Sequence, residues 1–250
     1  MDKEKYLDRI KYSGKSKPNL DLLKKLQKQH LLNVPFENLD IHYNIPIELN
    51  IDRIYKKIVL NNRGGFCYEL NGLFFELLLA LNFEAKRISA RVYSQEKGYG
   101  EEFDHFAIIV KIDGEEYLSD VGFGDFTFEP LKIDIGKIQN DECGTYLIDK
   151  YDEKYFRVNK VENGKITPEY IFQKEKKDFN DYQEMCKYHQ TSPDSHFTQK
   201  RLISLPTTNG RITITGNKLK ITESGSTTES EIKNEIEFRQ HLRNLFNIIE

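Results

Sequence analysis

The strongest helical pattern of the chain begins within residues 62–71, NRGGFCYELN. Apolar residues then recur at the i, i+3, i+4, i+7 spacing of a helix face, at Leu70, Leu73, Phe74, Leu77, Leu78 and Leu81. We predict a helix that begins near Cys67, with Glu69 and Glu76 away from its buried face. Two glycines precede it and admit backbone conformations closed to other residues, so we expect a sharp turn there.

The composition fits a globular protein. The 250 residues are 38% apolar and 12% aromatic, enough for one large core or two to three small ones. A net charge of -3 offers no basic excess, so we expect no nucleic-acid partner. The apolar run 73–81 contains Glu76 and is too short for a bilayer span. With a charged start and no secretory pattern, we expect a cytoplasmic protein without a membrane partner.

The type of periodicity changes along the chain. Helical patterns fill the first third, where Asn19 and Asp52 are candidate N-caps. From about Phe83 the period is two, and the dipeptides 113–114, 163–164 and 216–217 predict hairpin turns. A last helix is predicted after a capping box, Thr228-x-x-Glu231, and its apolar residues are Ile236, Leu242, Leu245 and Phe246. The fold class is α+β, with the middle strands in a small antiparallel barrel or sandwich.

Several common site motifs are missing. The three cysteines, Cys67, Cys143 and Cys186, are too few for a disulfide framework, so we expect free thiols. Cys186-x-x-His189 has no second pair at zinc spacing; we predict a solvated helix end there and no metal. Gly14-Lys15-Ser16 and Gly122-Phe123-Gly124 each lack a glycine that a nucleotide-binding loop needs.

Cys67 admits two interpretations. At a helix N-terminus, unpaired N–H groups and the helix dipole favour a thiolate, which suits a nucleophile. A cysteine that starts an apolar helix also fits simple packing. A partner base would favour the nucleophile.

His105 and Asp120 supply such a partner if the hairpin turn at Asp113-Gly114 contains two residues. Val110 then faces Tyr117, and Ala107 faces Asp120. His105 therefore lies on the same sheet face as Asp120, as a diagonal neighbour. In the resulting Cys-His-Asp triad the thiol attacks, the imidazole takes its proton, and the carboxylate fixes the imidazole tautomer.

The triad alone does not identify the acyl group. A thiol hydrolase, a transglutaminase-like enzyme, an amide synthase and an acyltransferase all use the same three residue types. A binding module with an inert Cys67 is a further alternative.

These residues resemble a known family. Arg63-Gly64-Gly65-Phe66-Cys67 resembles the Arg-Gly-Gly-x-Cys signature of the arylamine N-acetyltransferases. In that family's order follow the further segments Pro35–Leu39, His105-Phe106, Asp120–Gly124 and Thr191-Ser192-Pro193-x-Ser195-x-Phe197. The resemblance covers nearly the whole chain.

The resemblance implies three subdomains around a papain-like Cys-His-Asp core. They are a helical bundle over 1–82 that carries the nucleophile, a β-barrel over 83–190 that carries the histidine and aspartate, and an α/β lid over 191–250. It implies that Cys67 is acetylated, that His105 is the base and that Asp120 orients it. It also places Phe36 and Phe123 in the acceptor pocket, although core packing is the simpler reading of Phe36.

The implied reaction is a ping-pong transfer from acetyl-CoA, as co-substrate, to a small aromatic amine, hydrazine or N-hydroxyarylamine. We expect scattered CoA contacts from Gly124, Ser195, Lys200 and Thr207, no metal, and a monomer or homodimer. Arg63 and Glu69 are expected to form ion pairs that shape the turn before Cys67. The natural acceptor, foreign or biosynthetic, stays open.

Overall fold

Helices dominate the first part of the chain. The computed structural model describes residues 1–249. The elements of the first part are α1 (Lys3–Arg9), α2 (Leu20–Asn33), strand β1 (Phe36–Glu37), α3 (Leu39–His42), α4 (Ile51–Tyr55), a π-helical turn (Lys56–Leu60) and α5 (Cys67–Ala80). Asn19 caps α2 as predicted, because its Oδ1 accepts the Leu22 N–H at 2.8 Å. Helix α4 is capped by Asn50 rather than by the predicted Asp52, which lies in its first turn.

Helix α5 lies at the centre of the largest core. It begins at Cys67 as predicted, and its residues are buried on nearly every side rather than on one face. Side chains of α1, α2 and α4 cover it on one side, and Phe106, Ile108 and Val110 of the neighbouring sheet pack against the other. A helix that is apolar all round is buried all round, so α5 joins the helical part to the sheet.

The middle of the chain forms one antiparallel sheet that nearly closes on itself. Its strands are β2 (Glu84–Ser94), β3 (Gly98–Tyr99), β4 (His105–Ile112), β5 (Glu115–Ser119), β6 (Leu131–Lys132), β7 (Ile138–Asp141), β8 (Gly144–Lys150), β9 (Phe156–Glu162) and β10 (Lys165–Phe172). Their order is β6-β5-β4-β2-β10-β9-β8-β7, and β3 pairs with β2. The Gln139 side chain of β7 accepts from Lys132 N at 2.8 Å and donates to Lys132 O at 2.9 Å. These bonds bring the edge strands β6 and β7 together. Of the two predicted arrangements, the sheet is therefore a barrel and not a sandwich.

Two hairpins of this barrel have the predicted two-residue turns. Ile112 pairs with Glu115, and Glu162 pairs with Lys165. Asp113 and Gly114 have φ of 51° and 83°, and Asn163 and Gly164 have φ of 51° and 76°. Asn, Asp and Gly tolerate positive φ, which explains why these dipeptides predict the turns.

The last part combines short helices, a second sheet and a final helix. After a 3₁₀ turn (Phe179–Tyr182) come α6 (Gln183–Thr191), α7 (His196–Gln199), β11 (Leu202–Thr207), β12 (Gly210–Thr215), β13 (Lys218–Glu223), β14 (Ser226–Glu231) and α8 (Glu235–Phe246). The sheet order is β1-β11-β12-β13-β14, and the turn after β12 is the predicted Gly216-Asn217. Because Phe36 of β1 pairs with Ser204 of β11, this sheet is attached to the helical part.

The predicted capping box of the last helix is wrong. Thr228 and Glu231 lie on β14, where Thr228 pairs with Ile221. The cap of α8 is Asn234, whose Oδ1 accepts the Glu237 N–H at 3.0 Å. The polar residues of an exposed edge strand imitate the spacing of a capping box, so pattern alone does not separate them.

No helix within residues 1–249 is both long enough and apolar enough to cross a membrane.

The cap assignment predicts different costs for two substitutions. Asn234→Ala removes the α8 cap and should lower the free energy of unfolding by about 0.5–2 kcal/mol. Thr228→Ala changes an exposed side chain of an edge strand and should cost less than about 0.5 kcal/mol. Urea unfolding of both variants measures the difference. A larger loss of unfolding free energy in Thr228→Ala than in Asn234→Ala would indicate that Thr228, not Asn234, caps α8.

Candidate active site

The turn before Cys67 depends on close packing rather than on unusual backbone angles. A Cβ on Gly64 would lie 2.0 Å from the Pro35 carbonyl oxygen, and one on Gly65 would lie 2.9 Å from the Glu69 side chain. Neither glycine has a positive φ, so the expected reason for the pair is wrong. Gly64 is small because Pro35 and Glu37 pack against it, and Gly65 is small because Glu69 does. The Gly65 carbonyl oxygen also accepts from Glu37 N at 2.9 Å, which joins the turn to β1.

A buried cluster of charges supports this turn. Arg63 Nη2 lies 2.9 Å from both Glu37 Oε1 and Asp40 Oδ1. Lys57 Nζ lies 2.8 Å from Asp40 Oδ2 and 2.9 Å from Glu69 Oε1. The expected ion pairs of Arg63 and Glu69 are therefore present. The prediction that Glu69 lies off the buried face is wrong, because it is buried between Lys57 and the start of α5.

Glu69 also caps the helix that carries Cys67. Its Oε2 accepts the Phe66 N–H at 3.2 Å, which fixes the residue before the nucleophile candidate. Burial raises the pKa of Glu69 to about 7, although the Lys57 ammonium beside it acts in the opposite direction. Glu69 therefore stabilises the turn: its carboxyl group contacts Lys57 and also accepts from the backbone at the start of α5.

Cys67 is the first residue of α5 and is only 4% exposed. Burial raises the pKa of its thiol, and the carboxylates of Asp104 and Asp120 add to that rise. The Tyr68 N–H at the helix N-terminus lowers the pKa but does not compensate. The expectation of a favoured thiolate is therefore reversed by desolvation, and the Cys67 proton needs a base to accept it.

His105 and Asp120 lie together as the hairpin register predicts. Val110 pairs with Tyr117, and His105 begins β4 while Asp120 directly follows β5. His105 Nε2 lies 2.7 Å from Asp120 Oδ2, and both side chains are buried. Because His105 Nε2 is bonded to Asp120, Nδ1 is the ring nitrogen that is free to accept a proton.

Four further donors surround the Asp120 carboxylate. Its Oδ1 accepts from Asn71 Nδ2 at 2.8 Å, from Gly122 N at 2.9 Å and from Phe123 N at 3.1 Å. Its Oδ2 accepts from the Tyr170 hydroxyl at 3.2 Å. With both oxygens acting as acceptors, Asp120 receives the Nε2–H of His105 and thereby sets the imidazole tautomer.

Asn71 connects the Cys67 helix to the His105 strand. Asn71 lies one turn of α5 after Cys67. Its Nδ2 also donates to Phe106 O at 2.5 Å, and its Oδ1 accepts from Val121 N at 2.8 Å. Asn71 was not predicted as a site residue, although its i+4 spacing from Cys67 at a polar position was a usable signal. Tyr170 was not predicted either, and the sequence contains no signal for its role.

Gly122 allows the two elements to touch. A Cβ there would lie 2.8 Å from Cys67 Cα and 2.8 Å from Asn71 Nδ2. The loop after Asp120 therefore runs directly over the start of α5. Cys67, His105 and Asp120 are brought into one site by this contact and by Asn71.

The two aromatic candidates occupy different places. The Phe123 ring is half-buried and lies 5.3 Å from the His105 ring and 5.2 Å from Tyr170. Phe36 is on β1, where its ring lies 6.0 Å from Phe197. Phe123 thus packs beside His105. Phe36 instead lies beside the turn that precedes Cys67, where it forms a β-bridge with Gly65.

The candidate CoA-binding residues are spread over three loops. Gly124 and Lys200 are exposed, and Thr207 ends β11 half-buried. Ser195 is buried, and its hydroxyl accepts from Phe197 N at 3.3 Å. Their contacts to CoA remain predictions.

The Cys186–His189 helix end is buried, so the prediction of a solvated end is wrong. Cys186 Sγ lies 3.3 Å from Gln190 Nε2, and α6 packs inward at this point. Within the described residues 1–249, no group of three or more His, Cys, Asp or Glu has the arrangement of a metal site.

Comparisons with known proteins agree on one family. A sequence model described as N-acetyltransferase matches residues 19–249. Human arylamine N-acetyltransferase 1 is 31% identical over 273 residues, which cover 99% of this chain and 94% of that protein.

Solved structures show the same fold. A Mycobacterium smegmatis N-arylamine acetyltransferase variant superposes with a TM-score of 0.92 at 29% identity and covers 100% of this chain and 93% of that one. The Mycobacterium marinum arylamine N-acetyltransferase in complex with CoA gives a TM-score of 0.90 at 28% identity, with 99% and 93% covered. The α+β fold with its barrel is thereby confirmed.

The contact at Gly122 predicts a stability effect. Gly122→Ala places a methyl group against Cys67 Cα, so α5 and the barrel must separate, and we expect unfolding to become easier by about 1–3 kcal/mol. Gly124→Ala is the matched control: no atom lies within 4 Å of its Cβ position, and its φ is not positive. Its unfolding free energy should change by less than about 0.5 kcal/mol. Equal costs for both variants would show that the close contact is absent.

Proposed function

Because the chain belongs to the arylamine N-acetyltransferase family, and is therefore an acyltransferase, we propose that it transfers the acetyl group of acetyl-CoA to an amine through a thioester on Cys67. The acceptor is the nitrogen of an arylamine, an arylhydrazine or an N-hydroxyarylamine. The observation that carries the proposal is the buried His105–Asp120 pair, joined by Asn71 to the helix that begins with Cys67.

In the first half-reaction, the Cys67 sulfur attacks the carbonyl carbon of acetyl-CoA. Because burial raises the pKa of this thiol, His105 Nδ1 takes the proton as the S–C bond forms. The carbonyl oxygen becomes an oxyanion, and we assign the N–H of Cys67, the first residue of α5, as its donor, since a helix leaves its first N–H groups without intrahelical acceptors. When this intermediate collapses, the bond between the acetyl carbon and the CoA sulfur breaks. CoA departs with the proton from His105, and Cys67 remains acetylated.

In the second half-reaction, the acceptor nitrogen attacks the acetyl carbon on Cys67. His105 takes the proton that the nitrogen loses, and it returns a proton to the Cys67 sulfur as the thioester breaks. Asp120 holds Nε2–H throughout and stabilises the imidazolium that forms in each step. Arylamines are weak nucleophiles, so an activated thioester held away from water favours transfer over hydrolysis.

The acceptor faces the aromatic wall next to His105. Phe123 contributes a half-exposed ring 5.3 Å from the imidazole, and aromatic faces suit an aromatic amine. For CoA, the support is the complex of the Mycobacterium marinum relative. On this chain we assign CoA contacts to the exposed residues Gly124 and Lys200 and to Thr207. The Ser195 hydroxyl is buried and bonded within the protein, so a contact from Ser195 to CoA requires those bonds to break.

A covalent intermediate predicts a specific kinetic pattern. Initial rates measured against acetyl-CoA at several fixed concentrations of an arylamine should give parallel double-reciprocal lines. A Cys67→Ser variant should show no transfer. Intersecting lines, or transfer by that variant, would show that the amine attacks acetyl-CoA directly.

The role of Asp120 predicts a loss of turnover without a loss of fold. Asp120→Asn keeps the shape of the side chain but no longer enforces the Nε2–H tautomer, so kcat should fall by at least about 100-fold. Asp125→Asn removes an exposed carboxylate of the same loop and should leave kcat within about twofold. An unchanged kcat in Asp120→Asn, with circular dichroism confirming the fold, would remove Asp120 from the mechanism.

A further inference from the structure

One aromatic residue shortly before His105 has a strained backbone. Phe103 has a φ of 65°. Positive φ is uncommon outside glycine and asparagine, and a bulky side chain makes it sterically unfavourable. Within residues 1–249, no other aromatic residue has a positive φ. Strain of this kind persists only where the surrounding structure holds it, and it is concentrated at functional sites.

The strain lies in a tight turn that leads into β4. Asp104 N donates to Glu101 O at 3.2 Å, so residues 101–104 form a four-residue turn with Phe103 in its third position. Glycine is the usual residue where that position has a positive φ. His105 directly follows the turn as the first residue of β4, so the conformation of Phe103 sets the direction in which the strand begins.

Side chains hold both polar groups of the Phe103 backbone. Its N–H donates to Ser89 Oγ at 2.8 Å, and its carbonyl oxygen accepts from the Tyr68 hydroxyl at 2.7 Å. Tyr68 and Ser89 are fully buried, so breaking either bond would leave buried polar groups unpaired. Ser89 Oγ in turn donates to Glu102 Oε2 at 2.8 Å, which fixes the second residue of the turn. These bonds supply the restraint that the strained conformation needs.

Tyr68 connects this turn to the nucleophile. It follows Cys67 directly on α5, and its hydroxyl bonds to the residue two positions before His105. One side chain therefore spans the two groups between which the proposed mechanism moves a proton. It begins beside the Cys67 thiol and ends at the turn that orients the His105 imidazole.

His105 depends on this turn because it lies at the end of its strand. It pairs with Ala90 of β2 on one side, but the ladder to β5 on the other side extends only from Ile112 to Ile108. Residues 105–107 thus lie beyond the end of the β5 ladder. A displacement of about 1 Å can lower the rate of an enzyme by about 100-fold, so the start of β4 must be placed accurately.

We propose that Tyr68 and Ser89 are positioning residues: by holding Phe103 in its strained conformation, they fix the His105 imidazole relative to the Cys67 thiol. The proposal rests on the proposed function in that Cys67 is the nucleophile and His105 its base. Both side chains are buried and bonded to the turn, so they act through His105 and not by contact with the substrate. Their effect is on the rate of proton transfer and not on substrate affinity.

The first experiment follows the acetylation of Cys67 by intact mass, after rapid mixing of the whole protein with acetyl-CoA at several concentrations. Tyr68→Phe removes the hydrogen bond to Phe103 O, so the maximal rate should fall by about 10-fold or more. The acetyl-CoA concentration that gives half the maximal rate should stay within about twofold, because the lost interaction does not bind the substrate.

Tyr182→Phe is the matched control. The Tyr182 ring lies 5.8 Å from the Tyr68 ring, and its hydroxyl is also buried but has no hydrogen-bond partner within residues 1–249. Loss of this hydroxyl should leave both the maximal rate and the half-saturating concentration unchanged.

The strain itself is tested at Phe103. Phe103→Gly and Phe103→Ala remove the same ring, but only glycine adopts a positive φ without a steric penalty. Adding Tyr68→Phe to Phe103→Ala should therefore lower the maximal rate about as much as it does in the unchanged protein, whereas adding it to Phe103→Gly should lower the rate by less than about threefold. A hydrogen bond that has no link to the strain would give the same loss in both backgrounds.

Two outcomes would overturn the proposal: an unchanged maximal rate in Tyr68→Phe, or equal losses in the two Phe103 backgrounds. If Tyr68→Phe does not fold, Ser89→Ala takes its place in the same comparison, because it releases the N–H of Phe103. The same two outcomes then decide.

The proposed function and this inference fail in different ways. An unchanged protein that gains no acetyl group would refute the proposed function. The variants are then compared by the rate of iodoacetamide addition to Cys67 at about pH 7, which needs no acetyl-CoA but still requires the thiol to lose its proton. The same order of rates would leave the inference standing, and equal rates would overturn it as well.

Discussion

The structure depends above all on the Asn71 side chain between α5 and the barrel. One amide donates to Asp120 Oδ1 and to Phe106 O and accepts from Val121 N. These bonds join the residue one helical turn after Cys67 to the strand of His105 and to the loop after β5. Buried hydrogen bonds to a carboxylate are costly to leave unmade, so the two halves of the site hold each other in register.

Burial has opposite consequences for the groups of this site. It raises the pKa of the Cys67 thiol, which is why the proposed mechanism assigns the thiol proton to His105. It also strengthens the effect of each neighbouring charge, such as the Lys57 ammonium that contacts Glu69 under the turn. Catalysis in such a site depends on charges that are fixed before the substrate arrives, because no solvent must reorganise around them.

The sequence predicts those parts of the site that local rules determine. The start of α5 follows from apolar spacing, and the His105–Asp120 contact follows from the parity of a two-residue turn. The burial of Glu69, the bonds of Asn71 and the inward end of α6 depend on contacts between distant segments, which no local pattern contains. The false capping box at Thr228 has the same origin, since a polar edge strand and a helix start share one spacing.

The central claim is that Cys67 carries the acetyl group between donor and acceptor. The most direct test is the intact mass of the protein after brief exposure to acetyl-CoA alone and again after addition of a simple arylamine. The account predicts a gain of a single acetyl group, located on Cys67 by peptide mass, and its loss with formation of acetylated amine. A protein that gains no acetyl group while Cys67 still reacts with iodoacetamide would contradict it.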